Sequence, residues 1–280
     1  MKDKVIFCMN FNRNGEYNDT VQELNIILED QTTSDLKKFL EKHQEQRINI
    51  VIYNMDYLFN NPNGIITDLK EVIGDQNVAI KLNWSIDDES DGAIRNVLKQ
   101  AGLKYYYKDI VDAWDNFNKL AAAGVSDIYV GNSMGFQMKD VKAAAAKKKV
   151  RIRVYPNVAQ STWDDAPAQT KFFIRPEDCL TYSFYVDVFE LFMPIYVQSM
   201  DEIYNIYKYE KKWNGDLQHI IFGLGMSIDN RLLEEHWCNM RLDCKKRCAI
   251  DGKCKVCDRF VEMSLKMSEK EKQLHTLLKK

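Results

Sequence analysis

The chain has 280 residues, of which 45% are hydrophobic and 11% aromatic, enough to bury a sizeable core in one large domain or two small ones. A formal net charge of −2 excludes a strongly basic protein that would bind nucleic acid or an anionic membrane through its overall charge. No stretch approaches the roughly 20 apolar residues of a membrane span, and the N-terminus lacks the apolar core of a signal peptide. We therefore expect a cytoplasmic protein with no membrane partner.

Short apolar runs alternate with amphipathic stretches through most of the chain. The runs are rich in β-branched and aromatic residues, which predicts strands at 5–9, 48–53, 78–83, 103–107, 127–132, 150–155, 172–175 and 186–192. Apolar residues at helical spacing predict helices at 34–44, 65–73, 92–101, 109–123, 138–149, 177–184 and 198–213. Asp109 is the predicted N-cap of the fourth of these helices.

Eight strands that alternate with helices are typical of a (β/α)8 TIM-like barrel. Several runs are apolar at nearly every position, as in strands that are covered on both faces. An open doubly wound sheet is the alternative, because the strands at 103–107 and 172–175 are short. The pattern changes near Gly215, so we predict a barrel at 1–214 and a cysteine-rich metal-binding lobe with a terminal helix at 215–280.

Five of the seven cysteines fall between Trp237 and Cys257. They are Cys238, Cys244, Cys248, Cys254 and Cys257. The last four form a C-x3-C-x5-C-x2-C array, and such short spacing lets thiolates converge on one metal site. The sequence predicts either an iron–sulfur cluster or a zinc ion here, and it leaves open which four cysteines are the ligands.

Catalytic groups of a (β/α)8 barrel lie at the carboxyl ends of its strands. The residues at those ends are polar and rich in amides, which predicts a site for a polar ligand. The candidate catalytic residues are Arg175, Glu177 and Glu190, and the candidate substrate-binding residues are Lys81, Asn132 and Asn157. A structural reading of Arg175-Pro-Glu-Asp is equally open, because Pro176 suits the first turn of a helix and the acids suit its N-terminus.

The middle of the chain resembles the peptidase U32 (collagenase-like) family. The resemblance is carried by Leu120-Ala-Ala-Ala-Gly-Val-Ser-Asp-Ile-Tyr-Val-Gly-Asn-Ser-Met-Gly and by Arg151-Ile-Arg-Val-Tyr-Pro-Asn, within residues 105–192. It implies a barrel-like fold and a set of four cysteines, which bind an iron–sulfur cluster in the members that hydroxylate RNA or ubiquinone.

The expected function is therefore that of a U32-like barrel enzyme with an iron–sulfur cluster or zinc, acting on RNA or another polar substrate. The alternative is a non-catalytic barrel scaffold with a structural zinc site that binds a protein or nucleic-acid partner. The oligomeric state is left open.

Overall fold

The structure of the chain is a computed structural model. It describes residues 6–10, 21–28, 33–54, 56, 58, 61–86, 91–131, 134, 137–159, 173–192, 200–224 and 227–233.

Within these residues, nine strands form one sheet. They are β1 (Ile6–Asn10), β2 (Glu23–Ile27), β3 (Arg47–Ile52), β4 (Val78–Leu82), β5 (Lys104–Tyr107), β6 (Ile110–Val111), β7 (Asp127–Val130), β8 (Arg151–Val154) and β9 (Val188–Glu190). Their order in the sheet is β5-β4-β3-β2-β1-β9-β8-β7-β6. Strands β1 to β5 and β6 to β8 pair in parallel. The two edge strands, β5 and β6, are successive parts of one short stretch of chain, and the backbone N–H of Ser126 donates to the carbonyl of Tyr105 at 2.8 Å. The sheet therefore closes on itself with eight strand positions, and the predicted (β/α)8 barrel is confirmed.

Helices follow most of the strands. They are α1 (Thr33–Lys42), α2 (Pro62–Ile73), α3 (Asp91–Gln100), α4 (Trp114–Ala123), α5 (Met138–Lys148), α6 (Cys179–Tyr182) and α7 (Met200–Lys208). The start of α2 has a clear local cause, because the side chain of Asn61 accepts a hydrogen bond from Gly64 N at 3.1 Å and proline occupies the first helical position. Gly124 ends α4 in the left-handed conformation, with φ of 77°.

The strands bury both faces, but the two faces differ in chemistry. In β3, Ile48, Ile50 and Ile52 are fully buried and alternate with Arg47 and Asn49, which are also buried. Because successive side chains of a strand point to opposite faces, the apolar residues share one face and the polar residues share the other. Asn49 hydrogen-bonds to Asn25 at the equivalent position of the neighbouring strand β2, and Arg47 binds Asp127 on β7, so polar side chains meet inside this barrel.

Two predicted elements are wrong, and two strands, β2 and β6, were not predicted. Phe173–Arg175 has no regular structure, so the predicted strand at 172–175 is not confirmed over these residues. The strand β2 at Glu23–Ile27 was missed because Glu23 and Asn25 interrupt its apolar pattern. The eight predicted strands therefore comprise seven that agree with the structure and one that does not, whereas the described residues form nine strands.

The helix predicted from Asp109 begins later, at Trp114. Residues 110–111 instead form β6, and the Asp109 carboxylate accepts hydrogen bonds from Ser85 Oγ at 3.2 Å and from Ile86 N at 3.0 Å. Asp109 therefore stabilises the loop after β4 through these hydrogen bonds and is not the N-cap of the helix.

The chain divides into two compact units. The first comprises Met1–Val130, Ala143–Arg153 and Val186–Phe189, and the second comprises Gly131–Lys142, Val154–Tyr185 and Glu190–Lys280. The predicted boundary near Gly215 stays a prediction, since residues 234–280 lie outside the described part. Among the described residues, none of the helices is long and apolar enough to cross a membrane.

Candidate functional site

Five charged side chains meet inside the first unit, at the amino ends of the strands. This amino-end ion cluster consists of Glu23, Arg47, Asp127, Arg151 and Arg153. The Asp127 carboxylate lies 2.5 Å from Arg47 Nη2, 3.2 Å from Arg153 Nη1 and 3.7 Å from Arg151 Nη1. The Glu23 carboxylate lies 2.8 Å from Arg153 Nη1 and contacts Arg151 Nη2. Parallel pairing explains this meeting, because Glu23 is in register with Arg47 and Asp127 with Arg151.

The cluster keeps its carboxylates ionised. Burial alone would raise the pKa of Glu23, but Arg153, Arg151 and Arg47 outweigh burial and hold it below its ordinary value. The pKa of Asp127 is lowered in the same way, because the three arginines overcome the effect of burial. Barrel chemistry lies at the carboxyl ends of strands, and the amino ends serve stability. We therefore interpret the amino-end ion cluster as structural.

A neutral polar layer follows in the barrel interior. Asn49 Nδ2 donates to Asn25 Oδ1 at 3.1 Å, and Asn25 Nδ2 donates to Asn10 Oδ1 at 2.9 Å. The buried Cys8 thiol lies 3.3 Å from the same Asn25 oxygen. Cys8 is therefore a buried thiol that contacts the side-chain amides of Asn25 and Asn49.

Lys81 lies in the same interior, near the carboxyl end of β4. Its side chain is buried, and Nζ lies 5.0 Å from the centre of the Tyr129 ring. The Arg153 guanidinium lies 5.0 Å from the Tyr106 ring and 5.6 Å from the Tyr129 ring. Lys81, predicted from the sequence to bind substrate, therefore lies beside the Tyr129 ring, and the Arg153 guanidinium lies near the same ring.

In the second unit, a carboxylate and a phenol meet at neighbouring strand ends. Glu190 is the last residue of β9 and is only 3% exposed, although it carries an ionisable group. Tyr155 directly follows β8, the next strand in the sheet, and its Oη lies 3.3 Å from Glu190 Oε1. The sequence predicted Glu190 as catalytic but missed Tyr155, which only the strand order brings to it.

Both polar atoms of the Asn157 side chain form hydrogen bonds with backbone groups. Its Oδ1 accepts from Phe192 N at 2.9 Å, and its Nδ2 donates to Phe192 O. The Asn157 carbonyl also accepts from Phe222 N at 2.8 Å. In the structure, this predicted substrate-binding residue ties the loop after β8 to two other loops.

Arg175 is the centre of a second buried charged group. Its Nε lies 2.6 Å from Asp178 Oδ2 and its Nη2 lies 3.0 Å from Asp178 Oδ1, a bidentate pair. Nη1 lies 3.2 Å from Asn230 Oδ1 and 3.5 Å from Glu177 Oε1. We call Arg175, Glu177, Asp178 and Asn230 the Arg175 cluster. Burial raises the pKa of Asp178 and is only partly opposed by Arg175.

The Arg175 cluster joins short elements far apart in the chain. Pro176–Asp178 and Asn230–Leu232 are 3-10 helices, and Asn230 Nδ2 also donates to Glu177 Oε1 at 2.6 Å and to Trp213 O at 2.9 Å. Arg175 and Glu177, predicted as catalytic, are therefore placed in a bracing network, and their catalytic role stays a prediction.

The remaining predicted residues lie outside the described part of the chain. They are Asn132, Cys238, Cys244, Cys248, Cys254 and Cys257. Among the described residues, no group of three or more His, Cys, Asp or Glu side chains could hold a metal ion.

A small cavity of about 150 Å³ lies in the first unit beside β6. It is lined by Ser85, Ile86, Asp109, Ile110, Val111, Asn116, Lys119 and Leu120. Its lining contains both apolar and polar side chains. The Asp109 carboxylate in this lining already accepts hydrogen bonds from Ser85 and Ile86.

No family model matches the chain, and no curated protein matches it. Among solved structures, it is similar to tryptophan synthase from M. tuberculosis, with 9% identity and a TM-score of 0.46 over 68% of this chain and 83% of that one. It is also similar to tryptophan synthase subunit alpha from Legionella pneumophila str. Paris, with 11% identity and a TM-score of 0.44 over 78% of this chain and 88% of that one.

A third similar structure is a mutant tryptophan synthase alpha-subunit from Pyrococcus furiosus, with 9% identity and a TM-score of 0.39 over 67% of this chain and 86% of that one. Identities and TM-scores this low transfer no activity to the chain.

The resemblance to the peptidase U32 family is wrong. No family model matches the chain, and no curated protein of that family matches it. The function predicted with it, a U32-like iron–sulfur or zinc enzyme acting on RNA or another polar substrate, is wrong too. Its non-catalytic alternative has no support in these comparisons.

Proposed function

We propose that this chain is a (β/α)8-barrel enzyme that transfers a proton on a small polar carbonyl compound, with Glu190 as the general base. The observation that carries the proposal is the buried Glu190 carboxylate with the Tyr155 phenol 3.3 Å away, both at carboxyl ends of adjacent strands. That end of a barrel is where catalytic groups are found.

The pair suits proton transfer for a chemical reason. In the resting site, the Tyr155 hydroxyl donates to Glu190 Oε1 and orients the carboxylate. When Glu190 takes a proton from a carbon next to a carbonyl, its oxygen becomes a poorer acceptor. The phenol is then free to donate to the carbonyl oxygen, where negative charge develops. The same two groups can return the proton to a different carbon, which is an isomerisation.

Deuterium exchange tests this without knowledge of the product. The protein is incubated in D2O with a panel of 2-oxo acids, hydroxyketones and sugar phosphates, and loss of the proton next to the carbonyl is followed by proton NMR. We expect exchange in at least one compound. Glu190→Gln should reduce its rate by about 10²- to 10⁴-fold, the usual contribution of a positioned base, and Tyr155→Phe should reduce it less.

Glu71→Gln is the matched control, because Glu71 is an exposed carboxylate on α2 and should leave exchange unchanged. Exchange in no compound, or an unchanged rate in Glu190→Gln, would contradict the proposal.

We also propose that the clustered cysteines Cys238, Cys244, Cys248, Cys254 and Cys257 bind an iron–sulfur cluster or zinc. Their spacing is what supports this. Metal analysis with an absorption spectrum, on protein purified without oxygen, distinguishes the two metals, and a metal-free protein would overturn the site. Nucleic acid as a partner and a cytoplasmic location stay predictions from the sequence.

A further inference from the structure

Two phenylalanine rings of the second unit lie in contact with each other and are partly open to solvent. The ring centres of Phe192 and Phe222 are 4.6 Å apart, and the ring planes make an angle of 47°. The two residues are 39% and 37% exposed, whereas Phe173 of the same unit is 7% exposed. Single exposed apolar side chains are common on protein surfaces, but two rings in contact present a joint apolar surface to water. We call Phe192 and Phe222 the phenylalanine pair.

The phenylalanine pair lies next to the contact between Glu190 and Tyr155 in the chain. Phe192 follows Glu190 by two residues. Asn157 follows Tyr155 by two residues in the same way, and its side chain binds the backbone of Phe192. Residues two apart in an extended chain are separated by roughly 7 Å. A compound whose carbonyl lies at Glu190 can therefore reach Phe192 with the rest of its carbon chain.

Hydrogen bonds fix the backbone that carries both rings. Asn157 Oδ1 accepts from Phe192 N at 2.9 Å, and Asn157 Nδ2 donates to Phe192 O. Asn157 O accepts from Phe222 N at 2.8 Å, and Ala159 N donates to Phe222 O at 2.8 Å. One asparagine thus holds both phenylalanine residues. Because their backbone is already positioned, a ligand that covers the rings loses little binding energy in ordering them.

The chemistry of this region matches that of a small-molecule site. Such sites are lined mainly by apolar and aromatic side chains, with a few polar groups that fix the orientation of the ligand. Glu190 and Tyr155 supply the polar groups, and the phenylalanine pair supplies apolar surface. An apolar group that covers the pair removes this surface from water, and an aromatic ring can also pack against its faces and edges.

We propose that the phenylalanine pair binds an apolar side group, about the size of an aromatic ring, on the substrate of the Glu190 site. The proposal rests on the proposed function and names the part of the carbonyl compound that the proton transfer leaves open. Phe192 and Phe222 determine specificity, and neither takes part in the proton transfer. A pair that only stabilises the fold would give no preference between carbonyl compounds.

Ligand binding tests this without a need for turnover. Phenylpyruvate and pyruvate share the 2-oxo acid group and differ in the ring. Dissociation constants for both are measured by saturation-transfer difference NMR on the full chain, in the unmutated protein and in Glu190→Gln. We expect phenylpyruvate to bind about 10-fold more tightly or better, a factor that small apolar contacts already reach. Its ring protons should receive most of the saturation.

The variants Phe192→Ala and Phe222→Ala should each reduce this preference by about 2- to 10-fold, the contribution of one aromatic contact. Phe222→Leu keeps an apolar side chain and should reduce it less. Phe184→Ala is the matched control, because Phe184 is an exposed phenylalanine beyond α6 and its loss should leave the preference unchanged. The comparison of the two acids in the unmutated protein keeps the test valid even if a variant misfolds.

Equal affinity for the two acids, or no saturation transfer from phenylpyruvate, would overturn the proposal. So would a dimer in analytical ultracentrifugation that Phe222→Ala dissociates, since a second copy would then cover the rings. Ring-dependent binding without deuterium exchange would leave this inference standing and the proposed proton transfer without support. Deuterium exchange in pyruvate without a preference for the ring would support the proton transfer and contradict this inference.

Discussion

Two groups of buried charge differ in how far apart in the chain the partners of their ion pairs are. The amino-end ion cluster joins Glu23 to Arg153, 130 residues later, through the order of barrel strands. The Arg175 cluster has its strongest contact between Arg175 and Asp178, only three residues apart. The first group lowers the pKa of its carboxylates, whereas burial raises the pKa of Asp178 in the second. Several arginines around one carboxylate overcome burial, and a single arginine does not.

The largest effect should follow from Asp127→Asn. This removes the charge that lies 2.5 Å from Arg47 and 3.2 Å from Arg153, and it leaves three arginines around one remaining carboxylate, Glu23. Breaking a buried charge pair by removing one partner costs about 3 to 5 kcal/mol. Urea unfolding followed by circular dichroism should show a loss of this size in the free energy of unfolding, and a loss below about 1 kcal/mol would contradict the structural role of the cluster.

A smaller loss should follow from Asp178→Asn, the matched change in the Arg175 cluster. The substitution breaks the bidentate pair with Arg175, but it also removes a carboxylate whose ionised form is disfavoured by burial. The two effects oppose each other, so we expect a loss of about 1 to 2 kcal/mol in the same urea experiment. A loss as large as that of Asp127→Asn would erase the difference between the two clusters.

A fall in pH should change the contributions of the two clusters to stability in opposite directions. The pKa values of Glu23 and Asp127 are lowered by folding, so their contribution to stability is present above the unfolded value of about 4 and is lost as pH falls through the folded pKa. The pKa of Asp178 is raised by folding, so its contribution is largest at low pH and declines as pH rises through the folded pKa.

Urea midpoints measured across the acid range check this sign. The difference in urea midpoint between the unmutated protein and Asp127→Asn should become smaller as pH falls. The difference in midpoint between the unmutated protein and Asp178→Asn should not become smaller. If both differences shrink together, the pKa of Asp178 is not raised.

The smallest effect should follow from Asp229→Asn. Asp229 binds the guanidinium of Arg231, whose side chain is 64% exposed, and the asparagine keeps the Oδ1 that accepts from Arg231 N at 2.9 Å. Exposed ion pairs add little because water already solvates the charge. We expect an unchanged urea midpoint. A clear drop would show that exposure of the arginine does not explain why this ion pair contributes less to stability than those of Asp127 and Asp178.

Local patterns in the sequence were enough to predict most of the barrel. Apolar runs such as Ile48–Ile52 and amphipathic helices such as Asp91–Gln100 follow from local periodicity, so seven of the predicted strands agree with observed ones, at β1, β3, β4, β5, β7, β8 and β9. The strand β2 was missed because the buried Glu23 carboxylate is stabilised there by Arg47, Arg151 and Arg153, and the last two lie more than 120 residues away. The helix expected from Asp109 failed because this carboxylate binds the preceding loop.

The candidate site shows the same division. The rule that barrel chemistry lies at strand ends selected Lys81 and Glu190 from the sequence alone. The Tyr155 phenol beside Glu190, the Tyr129 ring beside Lys81 and the arginines around Asp127 came only from the tertiary structure. The physical reason is that the order in which strands meet in a sheet sets these contacts, and periodicity along the chain carries no information about that order.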